Sequence, residues 1–217
     1  MKRVTEKQKT VSKATLLRLP EYLRYLAECQ KDGEISASST AIAEKFGYSA
    51  IQVRKDIAAV SRLEGKPGTG FSVAELIGDL KHFLGYDRVS DAVIVGAGGL
   101  GRTLMSYEGF QNYGLNIIAA FDTDDKIIGN NVDGKPIYDI KELDAFIKEK
   151  GIRIGVITVP KQFAQEVCNK LVAAGIRGIW NFAPAPLTVP TGLALKNEDM
   201  AASLALLSKQ LEEVKDG

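Results

Sequence analysis

The sequence predicts an α/β protein in which a short helical segment precedes a larger parallel sheet. Apolar residues recur at helical spacing between residues 20 and 60, and Gly33 and Gly47 interrupt the pattern where helices would end. From Gly85 onwards, short and almost continuously apolar strands alternate with helical stretches, which is typical of a parallel sheet covered on both faces. A chain of 217 residues with 45% hydrophobic content can bury a core in each part.

Three helices are expected in the first part. Their predicted bounds are Pro20 to Gly33, Ser38-Ser39 to Phe46-Gly47, and Ser49 onwards. Pro20 suits the first position of a helix, and Ser49 with Gln52 forms a capping box. Three helices with a tight glycine turn before the third give the helix-turn-helix pattern. Residues 65–70 and then 71–73 are interpreted as a turn and a strand, so the whole part is predicted to be a winged helix-turn-helix.

The third helix is the candidate DNA-reading element. Val53, Ile57 and Val60 are predicted to form its buried face. The opposite face carries Ile51, Lys55, Ala58 and Arg62, flanked by Gln52 and Arg54. Basic side chains there can neutralise phosphates, while Gln52 can read an adenine edge and Ile51 a thymine methyl group. The alternative that stays open is a solvated charged face, with Gln52 only capping the helix and Ile51 filling a core.

Charge is unevenly divided along the chain. Residues 1–72 hold 13 Lys and Arg against 8 Asp and Glu, and the remainder holds 15 against 19, so a net charge of +1 conceals halves of +5 and −4. The basic half is the candidate for contact with a polyanion. Cys29 and Cys168 lack metal-ligand spacing, no apolar run approaches ~18 residues, and the start lacks the apolar region of a signal peptide. We expect a soluble, cytoplasmic protein with reduced thiols and no metal site.

A glycine fingerprint follows a predicted strand at residues 91–95 and opens a predicted helix at residues 100–107. A dinucleotide site needs Gly96 for the turn, Gly98 for close approach of a pyrophosphate, and Gly101 for packing of the helix on the strand. The phosphates would lie on the helix N-terminus. The other residues of the predicted loop are Ala97, Gly99 and Leu100.

An acidic residue stands where such a site requires one. A second strand is predicted over residues 116–121, and Asp122 follows it, about 20 residues beyond the fingerprint. A carboxylate there would accept hydrogen bonds from the adenosine ribose hydroxyls and repel a 2′-phosphate, which favours NAD(H) over NADP(H). The alternative is a glycine-rich turn with an N-capping aspartate.

The carboxyl ends of the remaining strands should complete one crevice. Strands are predicted at residues 93–95, 117–121, 136–138, 154–159 and 176–182, with helices such as 141–150 and 162–174 between them. Because ligands of such sheets lie at the carboxyl ends of strands, Thr158, Val159, Pro160 and Asn181 are expected beside the glycine loop. Val159 and Pro160 either pack on the adenine or nicotinamide or simply mark the end of a strand.

The last helix is predicted to mediate assembly. Its apolar residues follow a heptad spacing: Met200, Leu204, Leu207, Leu211 and Val214. Because so short a helix is marginal alone, it needs a partner surface, either its own sheet domain or a second subunit. A DNA reader of two-fold symmetric sites favours the dimer.

In combination, these features resemble the Rex family of redox-sensing transcriptional repressors over nearly the whole chain. The matching segments are Arg18-Leu19-Pro20 before the first helix, Ser38-Ser39, Gln52-Val53-Arg54-Lys55-Asp56, residues 95–101, Tyr107-Glu108-Gly109-Phe110, Phe121-Asp122, Thr158-Val159-Pro160 and Asn181-Phe182-Ala183-Pro184. The resemblance implies a homodimer with N-terminal winged helices, Rossmann-like NAD(H)-binding domains and C-terminal helices exchanged between subunits. It also implies that NADH releases DNA, whereas NAD+ is compatible with the DNA-bound form.

The resemblance assigns domains and site residues as well. It implies a winged-helix DNA-binding domain at residues 1–80, a Rossmann NAD(H)-binding domain at 85–196 and a dimerisation helix at 197–217. Tyr107 matches a tyrosine near the nicotinamide, and Arg18 and Asp199 match an inter-subunit polar link that rearranges in the switch; exposed caps are the alternative for that pair. The residues expected to contact operator DNA are Ser38, Ser39, Ser49, Gln52, Arg54, Lys55, Arg62, Lys66 and Gly68.

The chain departs from the family's usual sequence in two places. Residues 57–64 differ from it and are one residue longer, and Gly99 stands where asparagine is common.

Two other functions are weighed against the sensor. A small NAD-dependent oxidoreductase would need a proton donor, for which only His82 and Lys161 are candidates. A CoA-binding subunit of an acyl-CoA ligase would explain the sheet domain but not residues 1–72. We expect a sensor and not an enzyme.

Overall fold

A computed structural model describes residues 11–63, 65–66 and 69–214, with side chains to residue 211. The chain divides into two compact units between Asp87 and Arg88. Among the described residues, no helix combines the length and apolar character needed to cross a bilayer, and no cluster of three potential metal ligands occurs. Cys29 and Cys168 are buried free thiols, and burial raises the pKa of both.

The first unit is a helical bundle with one short β-ladder. Its elements are α1 (Lys13–Lys31), β1 (Ser36–Ala37), α2 (Ser39–Phe46), α3 (Ala50–Val60), β2 (Phe71–Ser72) and α4 (Val73–Leu84). Each of these helices begins after a serine N-cap whose hydroxyl oxygen accepts the N–H of the residue three positions further on; the caps are Ser12, Ser38, Ser49 and Ser72. Strands β1 and β2 pair antiparallel, and one apolar core joins all four helices.

Two predicted boundaries in this unit are wrong. Helix α1 begins at Lys13, so Pro20 lies inside it and not at its first position, and residues 18–20 belong to the helix. The added turns bury Thr15 and Leu19 on the face that also buries Tyr22, which offsets the backbone hydrogen bond that proline removes. Val73 is not part of a strand but the first residue of α4, which buries residues 73, 76, 77 and 80 at helical spacing.

The second unit contains a seven-stranded sheet in the order β5-β6-β4-β3-β7-β8-β9. Its elements are β3 (Ser90–Val95), α5 (Gly99–Ser106), β4 (Leu115–Asp122), β5 (Asn131–Val132), β6 (Lys135–Asp139), α6 (Leu143–Lys150), β7 (Ile154–Ile157), α7 (Ala164–Ala174), β8 (Gly178–Asn181), β9 (Ala194–Asn197) and α8 (Met200–Val214), with 3₁₀ turns at Glu108–Tyr113, Ile140–Glu142 and Lys161–Phe163. All neighbouring strands pair parallel except β5 and β6.

This topology confirms the predicted parallel sheet. Val93 and Val95 of β3 pack into one core and Ala92 and Ile94 into another, so both faces of the sheet are covered. Strand β3 lies between β4 and β7, where the order along the chain reverses, and ligands of open α/β sheets bind at such a switch point. The edge strands β5 and β9 were not predicted, because each is short and partly polar.

Helix α8 has no apolar partner within the described chain. Met200, Leu204, Leu207 and Leu211 are between 51% and 66% exposed, and so is Leu206, which lies outside the predicted seam. The sheet of the same chain therefore does not cover the seam, and that alternative is not supported.

Candidate functional site

The glycine loop begins at a sharp turn directly after β3. Gly96 is buried and has φ +103°, a conformation that side chains rarely adopt. Its N–H donates to the Phe121 carbonyl oxygen (2.8 Å), and a Cβ built on it would lie 3.0 Å from the backbone of Thr158. This confirms the turn that was predicted for Gly96.

The other two fingerprint glycines differ in their surroundings. A Cβ on Gly101 would overlap the Gly96 carbonyl oxygen, which confirms the predicted close packing of helix on strand. Gly98 and Gly99 are exposed, and a Cβ on either meets no heavy atom within 4 Å. The backbone there is open to a ligand from solvent.

Helix α5 presents unpaired backbone donors at this opening. Gly98 is its N-cap, and the Arg102 N–H donates to the Gly98 carbonyl oxygen (3.0 Å) as the first turn closes. The N–H groups of Gly99, Leu100 and Gly101 precede that bond and therefore have no intrahelical acceptor. Such groups, together with the positive end of the helix dipole, favour an anion.

Asp122 lies at the carboxyl end of β4 and holds the loop. Its Oδ2 accepts the Ala97 N–H (2.6 Å), and its Oδ1 accepts the N–H groups of Thr123 (2.7 Å) and Asp124 (3.0 Å). A carboxylate offers about four lone-pair sites, so one on Oδ2 stays available to a hydroxyl. Ala97 differs from the prediction, since its N–H is taken by Asp122 and its methyl group is fully buried in the core.

Thr158 ties the neighbouring strand to the same loop. Its hydroxyl donates to the carbonyl oxygens of Gly96 (2.6 Å) and Val95 (3.2 Å). Strand β7 ends at Ile157. Residues 158–160 therefore mark the end of a strand, and Thr158 also lies beside the glycine loop, as predicted. Val159 is half-buried against the core, whereas Pro160 is exposed.

Asn181 supports a loop and is not placed to contact a ligand. Its side chain is fully buried, and its Nδ2 donates to Asn197 Oδ1 (2.9 Å) and to the carbonyl oxygen of Ala185 (3.0 Å). Its Oδ1 accepts the Ala183 N–H (3.0 Å). These bonds fasten β8 to β9 and to the loop after β8, so the expected cofactor contact of Asn181 is not supported by this geometry.

Tyr107 is 56% exposed at the C-cap of α5, where its ring meets Phe110 edge-on at 4.9 Å. At 1.5 Å per residue, it lies about 13 Å along the helix from Gly98. Only an extended ligand can contact both.

The two candidate proton donors of an enzyme lie in different units. His82 belongs to the first unit, where its Nδ1 lies 2.7 Å from Asp87 Oδ2, and Lys161 is exposed in the 3₁₀ turn before α7.

The candidate DNA face of α3 is confirmed as an exposed face. Ile51 is 59% exposed, which rules out its alternative role in a core. Arg54, Lys55 and Ala58 on the same helix are also exposed. Val53 and Ile57 are fully buried on the other side, with Val60 half-buried. Within the described part of the chain, neither Arg54 nor Lys55 forms an ion pair with a carboxylate. Both charges are therefore available to a polyanion.

The other residues predicted to contact DNA lie outside the exposed face of α3 or form bonds within their own unit. Helix α3 ends at Val60, so Arg62 lies beyond it and not on the helical face. Ser49 caps α3 by accepting the Gln52 N–H (3.1 Å), whereas the Gln52 side chain donates along the helix instead of back to the cap. Ser38 caps α2, Ser39 is its first residue, and exposed Lys66 closes a turn with Gly70; Gly68 lies outside the described residues.

A buried carboxylate that the sequence analysis overlooked links α1 to α3. Asp56 is only 2% exposed and pairs with Arg18, whose Nε lies 2.7 Å from Oδ2 and whose Nη2 lies 2.9 Å from Oδ1. Arg18 is thus paired within its own unit. Asp199 accepts the Ala202 N–H (2.8 Å) as an exposed cap of α8.

Relatives of known identity match this chain from end to end. The redox-sensing transcriptional repressor Rex of Clostridium botulinum (strain Alaska E43 / Type E3) is 40% identical over 208 residues, which cover 96% of this chain and 99% of the relative. The Rex repressor of Treponema denticola is 38% identical over 209 residues, with the same coverage. The chain belongs to the Rex family.

Rex-family structures agree with the fold. The Rex-family repressor RSP in complex with β-NAD+ and operator DNA superposes with a TM-score of 0.89 at 36% identity, covering 95% of this chain and 94% of RSP. RSP in complex with β-NADH gives 0.84 at 36% identity over 94% and 96%. Family models match residues 10–58 as a putative DNA-binding protein N-terminus and residues 87–185 as a CoA binding domain. Because Rex proteins are repressors, the oxidoreductase and ligase alternatives are set aside.

Proposed function

We propose that this Rex-family chain binds operator DNA as a homodimer and leaves it when NADH rises relative to NAD+. One observation carries the proposal: a single chain holds both an exposed basic helix, α3, and a glycine loop whose open backbone favours an anion. A relative that is 36% identical has been crystallised with NAD+ and operator DNA and also with NADH. On this proposal the protein acts in the cytoplasm, where it would encounter both NADH and the DNA.

On this proposal α3 enters the major groove. Arg54 and Lys55 contact phosphates, Gln52 reads an adenine edge, and Ile51 meets a thymine methyl group. Phosphate contacts position the helix, whereas Gln52 and Ile51 carry sequence information. Further backbone contacts are proposed for the serines at the helix starts and for the wing, namely Ser38, Ser39, Ser49, Arg62, Lys66 and Gly68.

The second unit offers a fitting site for NAD(H). The pyrophosphate would be held at Gly98 and Gly99 by the free N–H groups of α5, and a ribose hydroxyl would donate to the remaining lone pair on Asp122 Oδ2. Thr158 positions the loop by holding the Gly96 carbonyl oxygen (2.6 Å). No reaction is required, because the oxidation state of the nicotinamide is itself the signal. Tyr107 and Pro160 are the exposed residues left to contact the rest of the ligand.

The dimer is proposed to cover α8. Exposed apolar patches of several hundred Å² mark association sites in proteins, and the seam of α8 exposes four large side chains on one helix. A second copy of the same helix or sheet domain would bury them. Residues 197–217 would then form the dimerisation helix, beside a DNA-binding domain at 1–80 and an NAD(H)-binding domain at 85–196.

The switch is proposed to involve Arg18 and Asp199 across that dimer. Since Arg18 already pairs with Asp56, and Asp199 already caps α8, an inter-subunit link would draw on donors and acceptors that both residues use within one chain. Competition between those partners would give each residue two states. A ligand can shift such an equilibrium only if it binds one state better than the other.

Binding of a labelled duplex from the region upstream of the chain's own gene tests the proposal. Footprinting should reveal a two-fold symmetric site whose half-sites lie about one helical turn apart, and anisotropy should show that NADH weakens binding at least several-fold. NADPH is the matched control and should act only weakly because Asp122 opposes its 2′-phosphate. NADH that leaves DNA affinity unchanged would contradict the proposal. So would sustained NADH oxidation with pyruvate or acetaldehyde that disappears in Lys161→Ala.

A further inference from the structure

Asp56 is a fully enclosed carboxylate on the helix that is proposed to read DNA. Among the described residues it is the only buried acidic side chain, with 2% exposure. Its Oδ2 accepts Arg18 Nε (2.7 Å) and the Tyr22 hydroxyl (2.9 Å). Its Oδ1 accepts Arg18 Nη2 (2.9 Å), the Thr15 hydroxyl (3.1 Å) and Gln52 Nε2 (2.9 Å). Every lone pair of this carboxylate is therefore engaged by the protein.

Three of these donors lie on one face of α1. Thr15, Arg18 and Tyr22 are spaced by three and four residues, so their side chains line up along that helix. A carboxylate that accepts from all three can occupy only one place relative to α1. Rotation of α3 about its own axis would withdraw Asp56 from these donors and leave a buried charge unpaired. The network thus fixes which side chains of α3 point outwards.

The same carboxylate orients the side chain of Gln52. Gln52 lies one turn before Asp56 on α3, and its Nε2 donates to Asp56 Oδ1. An ionised carboxylate only accepts hydrogen bonds, so the amide must turn its NH₂ group and not its oxygen towards Asp56. One N–H and the amide oxygen then remain for a ligand. Bidentate recognition of adenine by Gln uses one donor and one acceptor.

The guanidinium of Arg18 stabilises the charge on Asp56. Arg18 is 17% exposed, and its Cζ lies 5.6 Å from the centre of the Tyr48 ring. The Tyr48 hydroxyl in turn donates to Glu21 (2.8 Å). Burial acts to raise the pKa of Asp56, but hydrogen bonds from Arg18 and its neighbours outweigh burial and lower it. Asp56 is therefore ionised at neutral pH.

We propose that Asp56 is a positioning residue for operator specificity. It touches no DNA; it holds the Gln52 amide in the orientation that reads an A·T pair. This inference rests on the proposed function, because it assumes that α3 enters the major groove. It predicts that loss of Asp56 removes discrimination at one base pair and leaves the phosphate contacts of Arg54 and Lys55 intact.

The test compares Asp56→Asn, Gln52→Ala and the double variant with the native full-length chain. Each is titrated with the operator, with operators in which single A·T pairs are changed to G·C, and with a non-operator duplex at two salt concentrations. Asp79→Asn is the matched control, because Asp79 also binds a side chain at an end of α3, the Ser61 hydroxyl (2.5 Å), yet does not touch Gln52. Circular dichroism establishes that each variant is folded at the assay temperature.

We expect Asp56→Asn to lower the ratio of operator to non-operator affinity at least tenfold, with the non-operator affinity and its salt dependence unchanged. The loss should fall on the base pair that Gln52→Ala affects, and the double variant should lose no more than either single variant. Asp79→Asn should keep native discrimination. Equal weakening on all duplexes, losses at different base pairs, or additive losses in the double variant would each overturn the inference.

Misfolding of Asp56→Asn and failure of the proposed function can each be distinguished from failure of the inference. If Asp56→Asn does not fold, Arg18→Gln/Asp56→Asn removes both charges of the pair together, so neither is left buried alone, and it must show the same loss of discrimination. If the native chain binds operator no better than non-operator DNA, the proposed function fails and the inference fails with it. A native chain that discriminates while Asp56→Asn discriminates equally well refutes the inference alone.

Discussion

Replacing Gly98 by Asp should separate NADH sensing from DNA binding. Gly98 is the N-cap of α5 with φ −68° and ψ −166°, an extended conformation that any residue adopts. A Cβ there meets no heavy atom within 4 Å, and Asp is a preferred N-cap residue. The substitution should therefore preserve the fold and stabilise it by about a few tenths of a kcal/mol.

The same carboxylate would lie where the pyrophosphate is proposed to bind. Two unit charges 4 Å apart repel by about 4 kcal/mol at an effective dielectric constant of about 20. Since each 1.4 kcal/mol is about tenfold in Kd, NADH affinity should fall by roughly a thousandfold. Gly98→Ala adds a methyl group without charge, so it is the matched control and should lose far less affinity.

Thermal unfolding and operator binding, each with and without NADH, measure the two effects. At about 100 times its Kd, NADH should stabilise the native protein by about 2.7 kcal/mol, and the same concentration should leave Gly98→Asp unchanged. The variant should bind operator as the native chain does and keep that affinity when NADH is added. A variant that NADH still stabilises, or one that also loses operator binding, would refute the assignment of Gly98 to the pyrophosphate.

Three other predictions concern single side chains. Lys55→Ala should weaken binding to all DNA sequences alike and flatten the salt slope by about 0.9, with Lys148→Ala on α6 as control; an unchanged slope would remove Lys55 from the phosphate backbone. Asp122→Ala should weaken NAD(H) roughly 10- to 150-fold by calorimetry, as a charged hydrogen bond of about 1.5–3 kcal/mol predicts, and should reduce discrimination against NADPH; equal selectivity would contradict the ribose role. The pKa of Asp56 is lower in the folded state than its unfolded value of about 3.9. The ionised carboxylate therefore stabilises the fold above that unfolded value, and the stabilisation is lost as the pH falls through the lower folded value. Acid unfolding of Asp56→Asn, followed by circular dichroism, should accordingly be less steep below about pH 4 than that of the native chain.

The parts that sequence could predict are those with strong local causes. Gly96 and Gly101 were identifiable because only glycine fits either place: Gly96 has a positive φ, and a Cβ on Gly101 would overlap the Gly96 carbonyl oxygen. The exposed and buried faces of α3 followed from helical spacing. Helix α4 carried the same spacing, but the glycine-rich turn before it favoured a strand, although Ser72 and Glu75 marked a helix start.

What sequence could not reveal depends on partners far along the chain. The burial of Asp56 depends on Thr15, Arg18 and Tyr22, which lie between 34 and 41 residues away. A helical wheel places Asp56 beside the apolar face of α3, but it cannot show whether a basic residue of another helix lies close enough to pair with it. The bonds of Asn181 to Asn197 likewise depend on β9, a strand too short and polar for its pattern to be seen.

Asp122 has a structural role that is compatible with the proposed ribose contact. It caps none of the described helices; it binds the backbone of the glycine loop and of the two residues that follow it. In the structure three backbone N–H groups fix both oxygens and leave one lone pair on Oδ2. A carboxylate held in this way loses little further freedom when a hydroxyl binds, and such preorganisation strengthens binding. These backbone bonds are therefore what make Asp122 a suitable acceptor, and substitutions that free it from Ala97 should weaken nucleotide binding even where the charge of Asp122 is kept.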